Sequence, residues 1–314
     1  MHDHTSSLKH RNSGFNRRQL IAGALAGVGA VVAGPEWLTT AGAGSPARRG
    51  GATEIVTLGR TGIKTTRLAQ GTGFNGSARS SEHTRLGMKA FTKLVRHSLD
   101  QGIRFMDAAD LYGSHRYLRN ALDGVPRDNY TLLTKIWPRE AHWNMPSGGA
   151  TEEVNRFRKE LKSDVLEICL IHCMTDSEWP KTYERICDEL DEMKDKGAVR
   201  AVGVSCHDLG ALKVAATHPW TDVVLARINN VGKSASMDGS AEEIASVLKQ
   251  ARANGKVVLG MKIFGAGKLV SPAAKNASIK FVHDNNLVDA MTIGMLSPKQ
   301  VDDTIERIGK IYKS

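Results

Sequence analysis

Between residues 54 and 314 the sequence alternates short apolar runs with segments of helical periodicity. The runs are rich in Val, Ile and Leu, as expected of parallel strands buried on both faces. Between them, apolar residues recur at three- and four-residue steps and so share one helix face, as Met88, Phe91 and Val95 do. Eight such units predict a single-domain (β/α)₈ barrel of the α/β class. The predicted strands are Arg67–Gly71, Arg104–Ala108, Thr131–Trp137, Val165–His172, Val199–Ser205, Val223–Ile228, Val257–Ile263 and Ala290–Ile293.

A doubly wound sheet is the main alternative to the barrel. It is disfavoured because no G-x-G-x-x-G follows an early strand, and Gly71-Thr72-Gly73 is the nearest approach to that motif. Residues 54–66 contain two short extended runs around Gly59-Arg60-Thr61-Gly62. They predict a hairpin that caps the bottom of the barrel.

The first 43 residues differ in composition from the rest of the chain. Arg17-Arg18 precedes the uncharged stretch from Leu20 to Gly34, which is too short and too rich in Gly for a stable membrane span. Ala41-Gly42-Ala43 then offers a small-x-small cleavage pattern. We expect residues 1–43 to be a twin-arginine signal read by the twin-arginine export machinery, and residues 44–53 to be a flexible tether. The expected location is the periplasm; a basic flank before a weak membrane anchor is the alternative.

The charge and the cysteines exclude several functions. The net charge is +10, but aromatic residues make up only 5% of the chain, so a solvated basic surface is predicted rather than nucleic-acid binding. Four cysteines in a chain of 314 residues are no disulfide framework. Their spacing fits no zinc or iron–sulfur pattern, and no metal site is predicted.

Ionisable residues lie near the ends of three neighbouring strands, where barrels carry their active sites. Asp107 ends the second strand with Tyr112 just beyond it, Lys135 lies in the third, and His172 ends the fourth. An ammonium in an apolar strand requires a carboxylate, and Asp107 is the candidate. The Lys135 charge is expected to lower the pKa of Tyr112 and make it a general acid near neutral pH. Taken singly, Tyr112 and His172 are as consistent with structural roles as with catalytic ones.

These residues resemble the tetrad of the aldo-keto reductases. The motif Asp107-Ala-Ala-Asp110-Leu-Tyr112-Gly113, Lys135 after Leu133-Thr134, and His172 after Leu170-Ile171 match the family in order. The resemblance implies a nicotinamide dinucleotide across the barrel mouth and hydride transfer to a carbonyl carbon, with Tyr112 protonating the oxygen. It implies NADP(H), with NAD(H) as the alternative, and a small carbonyl compound as substrate.

The cofactor contacts that the family implies are altered here. Ser205 is kept after the fifth strand, but Cys206 replaces an Asn, and Ala226 aligns with a Gln. Cys206 is either a reactive thiol or, as we prefer, a buried inert one. Met261 takes the place of a stacking Tyr.

Further cofactor candidates follow from the same resemblance. Lys262 with the Gly265/Gly267 loop is expected to meet the pyrophosphate, as glycine-containing loops with a Lys often bind anions. The remaining candidates are Gly71, Thr72 and Gly73 after the first strand and, at the adenosine end, Ser297 and Lys299. The covering loop of the family is expected to be short.

Two functions from different classes remain open at this point. The first is an exported NAD(P)(H)-dependent oxidoreductase of the aldo-keto reductase type, which acts on a carbonyl or alcohol substrate. The second is a non-catalytic dinucleotide-binding or sensing protein on the same barrel. A buried Asp–Lys pair favours the first, because a binding protein does not need one. A metal-dependent hydrolase is disfavoured because no His-x-His pair lies at a strand end. The substrate pocket is expected among residues 74–86 and 174–180, with Trp137, His142 and Trp143 adding an aromatic wall.

Overall fold

A computed structural model describes residues 51–138 and 149–313. Eight parallel strands form a closed barrel, in which they follow one another in chain order. The first and last of these along the chain are hydrogen-bonded neighbours, with Leu68 opposite Met291. The predicted barrel is therefore confirmed and the doubly wound sheet is wrong. The barrel strands are β3 (Leu68–Gly71), β4 (Phe105–Asp107), β5 (Thr131–Ile136), β6 (Leu166–Met174), β7 (Val199–Cys206), β8 (Val223–Arg227), β9 (Val257–Met261) and β10 (Ala290–Ile293).

Helices surround the barrel and return the chain from each strand to the next. The apolar face predicted from Trp179 to Met193 belongs to two helices rather than one, because Tyr183 between them has a non-helical backbone. No helix in the described ranges is long and apolar enough to cross a bilayer. The helices are α1 (Glu82–Arg85), α2 (Gly87–Asp100), α3 (His115–Ala121), α4 (Ala150–Leu161), α5 (Trp179–Thr182), α6 (Glu184–Asp195), α7 (Leu209–Thr217), α8 (Ala241–Ala253), α9 (Pro272–Asp284) and α10 (Pro298–Ile311).

Alternation along each strand divides the core into two apolar layers. Side chains that point outward, such as Cys169 and Val204, pack against the helices, whereas Leu170 and Leu225 point into the barrel. The inner layer is completed from below by a hairpin of β1 (Ile55–Leu58) and β2 (Ile63–Thr66). Leu58 and Ile63 are fully buried in it. The predicted hairpin cap is confirmed.

The start of the folded barrel differs from the prediction. Residues 51–53, assigned to the flexible tether, pack on the barrel: Ala52 is buried and its carbonyl accepts a hydrogen bond from Leu68 N at 2.9 Å. A Cβ at Gly51 would lie 2.8 Å from Gly309 Cα, so the chain runs tightly against α10 here. These contacts fix the backbone, and the tether prediction is wrong for these three residues. The predicted signal, residues 1–43, lies outside the described residues.

Candidate active site

The four residues of the predicted tetrad lie together at the barrel mouth. Asp107 is the last residue of β4, Lys135 and His172 lie near the carboxyl ends of β5 and β6, and Tyr112 ends a short 3₁₀ turn after β4. Parallel strands in register bring these ends to one rim, since Asp107 pairs with Leu133 and Lys135 with Leu170. Asp107, Lys135 and His172 are buried and Tyr112 is half-buried.

Lys135 is fixed by charge and by hydrogen bonds. Its ammonium donates to the Asp107 carboxylate and to the Ala108 carbonyl oxygen, the latter at 2.8 Å. The second Asp107 oxygen accepts a hydrogen bond from Thr292 Oγ1 at 2.7 Å. Burial lowers the pKa of Lys135, and the Asp107 carboxylate opposes that shift. The ion pair and these hydrogen bonds together offset the free-energy cost of burying two charges.

The Tyr112 ring is held in place by two glycines. An added Cβ would lie 2.2 Å from the ring at Gly73 and 2.4 Å from it at Gly76. The Tyr112 hydroxyl lies 3.3 Å from His172 Nε2, and the Lys135 ammonium lies 4.9 Å from the ring centroid. Because side chains are absent at both glycines, the phenol approaches His172 in one orientation.

The expected direction of the Tyr112 pKa shift is wrong. Burial raises the pKa of Tyr112 well above its usual value, and the nearby Asp107 carboxylate and Cys173 thiol raise it further. Lys135 does not reverse the shift because its charge is neutralised by Asp107. Tyr112 is therefore fully protonated at neutral pH, which is the state that a proton donor needs.

A network of ion pairs supports the turn that carries Tyr112. Buried Asp110 accepts hydrogen bonds from Arg79 at 2.7 Å and from Arg156 at 3.0 Å. Ligand atoms of Asp110, His115 and Glu160 also lie within 4.8 Å of one another, a spacing that could hold a metal ion. Arg156 contacts Glu160 as well, at 2.8 Å, so these carboxylates are already paired with guanidinium groups. The network joins the turn to α4 and fastens the loop that contains Gly73 and Gly76.

Three predicted cofactor residues, Thr72, Ser205 and Cys206, do not line the cleft. The Thr72 hydroxyl donates to the Asp107 carbonyl at 2.8 Å, and Ser205 Oγ accepts from Cys173 N at 2.8 Å; both side chains are fully buried. Cys206 points outward into the layer between barrel and helices. Its side chain is fully buried, and burial raises the pKa of its thiol, as expected of an inert cysteine. Thr72 and Ser205 thus support the backbone beside Asp107 and His172, whereas the Cys206 thiol does not face the mouth.

Two residues at the mouth escaped the sequence comparison. Every second residue of a strand points into the barrel. Ser205 on β7 and Leu225 on β8 point inward, so the next inward residues are His207 and Arg227 rather than Cys206 and Ala226. Arg227 lies 2.6 Å from His207 Nδ1 and 3.0 Å from Asp238. Strand parity was the signal that would have found them.

A cleft of about 280 Å³ runs from the tetrad toward the first turns of α10. At the tetrad end it is lined by Asp107 and Tyr112, and along its walls by the predicted residues Gly71, Gly73, Met261, Lys262 and Gly267. Gly265 is buried rather than lining, Ser297 caps α10 by accepting from Gln300 N, and Lys299 points to solvent. The distal end is lined instead by residues that the sequence did not indicate: Lys275, Gln300, Asp303 and Thr304.

The glycine loop after β9 does not present its amides as expected. Gly265 N donates to the Lys262 carbonyl at 2.8 Å, and Gly267 N donates to the Phe264 carbonyl at 3.1 Å. Both amides are therefore used within the loop. Its contribution to the cleft is a close, side-chain-free wall rather than a set of N–H donors.

Only some of the residues predicted for the substrate pocket lie near the cleft. Phe74 lines the cleft, and the buried Trp137 ring meets His172 edge-on with centroids 5.5 Å apart. Trp179 is wrong as a pocket residue, because it is fully buried against Trp220 in the helix layer. His142 and Trp143 lie outside the described residues.

A barrel with Asp, Tyr, Lys and His together at its mouth is the arrangement that the sequence resemblance implied. The model of the aldo/keto reductase family matches residues 68–313, and the chain belongs to this family.

Curated relatives match over parts of their length. Methylglyoxal reductase DkgB of Salmonella typhimurium is 28% identical over 118 residues, 35% of this chain and 40% of that protein. Aldo-keto reductase YhdN of Bacillus subtilis is 28% identical over 166 residues, 48% of this chain and 46% of that protein. The chain thus spans less than half the length of these two relatives.

Solved structures resemble the barrel more completely. A putative aldo-keto reductase from Pseudomonas aeruginosa is 22% identical with a TM-score of 0.65, covering 82% of this chain and 94% of its own. An aldo-keto reductase from Klebsiella pneumoniae in complex with NADPH is 16% identical with a TM-score of 0.57, covering 81% and 89%. At these identities the likeness shows the fold.

Proposed function

We propose that this protein is an NAD(P)H-dependent reductase of small carbonyl compounds. The observation that carries the proposal is the tetrad itself, in which a phenol contacts His172 beside a buried Lys135–Asp107 pair. Such a group of titratable residues in a cleft is typical of proton-transfer sites. A non-catalytic binding protein has no need of it, and we therefore set that alternative aside.

The cleft fits an extended dinucleotide. Four of the residues that line it are glycines, Gly71, Gly73, Gly267 and Gly294, so flat groups can approach the backbone closely there. Lys275 supplies positive charge and Thr304 supplies a hydroxyl along the same cleft. When bound, the cofactor supplies the hydride that reaches the carbonyl carbon.

The residues of this chain have separate tasks in the reaction. Tyr112 holds the proton that passes to the carbonyl oxygen of the substrate. His172, which lies next to the Tyr112 hydroxyl, orients that carbonyl oxygen. Lys135 and Asp107 keep the ring edge in a fixed electrostatic environment without contacting the substrate. Phe74 lines the cleft and Trp137 packs edge-on against His172, so both aromatic rings limit the access of water to the tetrad.

The activity is tested with the purified protein lacking residues 1–43 and a panel of aldehydes that includes methylglyoxal, the compound in the name of the Salmonella relative. We expect saturable NADPH oxidation in the presence of an aldehyde, and quenching of protein fluorescence on NADPH binding. Tyr112→Phe keeps the ring and removes the proton, so the rate should fall by about 10²-fold or more while NADPH binding persists. Full activity in Tyr112→Phe would contradict the assignment of Tyr112.

We further propose that NADP(H) is preferred to NAD(H). The basic Lys275 at the distal end of the cleft supports a 2′-phosphate, and the Klebsiella structure is described with NADPH. Asp303, in the same end, is paired with Arg307 at 2.6 Å, which reduces its repulsion toward a phosphate. Comparing the Kd values of NADPH and NADH tests this preference, and a tighter Kd for NADH would contradict it.

For localisation we propose export to the periplasm as a folded holoprotein. The support is the sequence Arg17-Arg18 followed by Leu20 to Gly34. Replacing Arg17-Arg18 by Lys-Lys and fractionating the cells tests the export route; continued appearance outside the cytoplasm would contradict the twin-arginine signal. Acid release of nucleotide from the exported fraction tests whether the cofactor travels with the protein.

A further inference from the structure

A row of polar side chains continues from the tetrad along the rim of β6 to β9. The His172 and His207 rings lie with centroids 6.3 Å apart, and His207 Nδ1 lies 3.1 Å from Cys173 Sγ and 2.6 Å from Arg227. Arg227 pairs in register with Met261, so Lys262 follows it directly on the next strand. The row thus connects the proposed proton donor to Lys262.

The charges in this region do not balance. Asp107 forms an ion pair with Lys135, and Asp238 forms an ion pair with Arg227. No carboxylate or carbonyl within residues 51–138 and 149–313 accepts a hydrogen bond from the Lys262 ammonium. Half-buried Lys262 therefore contributes an uncompensated positive charge to the cleft. Burial lowers its pKa, and the neighbouring Arg227 and Lys135 lower it further.

The backbone at this rim is held in an unfavourable conformation. Lys262 has a φ of 59° and Cys173 a φ of 69°, both in the left-handed region that favours glycine. Each residue directly adjoins a residue of the site, Met261 and His172 respectively. Left-handed backbone at non-glycine residues concentrates where a side chain must be aimed at a ligand.

We propose that Lys262, flanked by Arg227 and His207, binds an oxyanion of the substrate, and that the preferred substrates are carbonyl compounds that also carry a carboxylate. This inference rests on the proposed reductase activity and specifies its substrate class. An incoming carboxylate would pair with the Lys262 ammonium, because the neighbouring Arg227 is already paired with Asp238. A charge-assisted contact in a partly buried cleft is strong enough to select substrates.

The alternative partner for Lys262 is the pyrophosphate of the cofactor. The groups whose charges act on the Lys262 ammonium are Arg227, Lys135, Asp107 and Cys173, which all lie in or beside the tetrad. The distal end is formed by other residues, among them Lys275 and Thr304. The substrate end is therefore the nearer one for Lys262.

The first experiment compares 4-carboxybenzaldehyde with its neutral methyl ester, methyl 4-formylbenzoate. We expect wild type to show a kcat/KM about tenfold or more higher for the carboxylate, and Lys262→Met to lower that ratio by about the same factor, as for a lost charged hydrogen bond. Lys262→Arg should keep most of the preference. The matched control is Lys268→Met, an exposed lysine whose ammonium contacts Ser234 O at 3.0 Å; it should keep the full ratio. An equal ratio in wild type and Lys262→Met overturns the proposal.

A second measurement does not depend on turnover. Titration calorimetry with benzoate and benzamide should give a benzoate affinity that Lys262→Met lowers by about tenfold, while Lys268→Met does not. If the Kd of NADPH changes in Lys262→Met and that of benzoate does not, Lys262 serves the cofactor and the proposal is wrong. If neither aldehyde is reduced, the reductase assignment fails on its own, and benzoate binding still decides the role of Lys262.

Discussion

Gly73→Ala is the substitution that most directly tests whether the position of the Tyr112 ring controls activity. The added Cβ would lie 2.2 Å from Tyr112 Cε2 and Cζ. Carbon atoms in contact are about 3.5–4.0 Å apart, so the ring must move by more than about 1 Å. Gly73 does not use the left-handed backbone, and Ala brings no backbone strain of its own. The substitution therefore acts on the ring alone.

The expected loss follows from the geometry of the donor. The Tyr112 hydroxyl is already 3.3 Å from His172 Nε2, close to the limit of a hydrogen bond, so a further displacement breaks the contact. A misplacement of about 1 Å at a reacting group costs about 10²-fold in rate. We expect kcat to fall by that factor, with a loss of about 1–3 kcal/mol of stability from overpacking.

The assay is NADPH oxidation with the best aldehyde found for wild type, together with the thermal midpoint and the Kd of NADPH. Gly309→Ala is the control, because nothing lies within 4 Å of a Cβ there; it should keep wild-type activity and gain about 0.5–1 kcal/mol of helix stability. A folded Gly73→Ala protein with a rate within about threefold of wild type would show that the ring position is not limiting.

Two other perturbations test the buried charges. Lys135→Met leaves Asp107 buried without its cation and should lower the free energy of unfolding, measured in urea, by about 3–5 kcal/mol. The double variant with Asp107→Asn should regain most of that stability but not the activity. If it does not regain the stability, the pairing argument is wrong. Buried His83, whose Nε2 lies 3.1 Å from the Met295 carbonyl, has its pKa lowered by burial to about 4. The unfolded imidazole binds a proton at about pH 6.5 and the folded one only near pH 4, so stability should fall by about 2–3 kcal/mol between pH 6.5 and 4.5. His83→Gln should flatten that part of the pH profile, and an unchanged profile would refute the role of His83.

Strand positions and tetrad residues could be predicted because they depend on local patterns. Apolar runs bounded by polar turns located all eight strands, and Asp107, Lys135 and His172 followed because strand ends of a closed barrel meet at one rim. His207 and Arg227 were missed because a comparison along the chain matched positions and not the face to which a side chain points.

Other features of the site depend on tertiary packing and left no local signal. Lys275 and Asp303 reach the cleft from α9 and α10, which lie far apart from the tetrad in the sequence. The raised pKa of Tyr112 depends on burial by Gly73 and Gly76, which only the folded loop reveals. Thr72 and Ser205 were expected at the cofactor, but burial commits their hydroxyls to the backbone.

In the reaction that we propose, the hairpin at the bottom of the barrel limits the route by which Tyr112 is reprotonated. Leu58 and Ile63 close the barrel from below, and the inner layer above them consists of apolar side chains such as Phe105, Leu170 and Leu259. Within the part of the chain that the structure describes, the residues of this apolar layer carry no titratable side chain. In the proposed reaction, the proton that Tyr112 gives to the substrate is therefore replaced from the mouth, past His172, along the route by which the product leaves. Proton uptake and product departure share one opening and must follow each other in time.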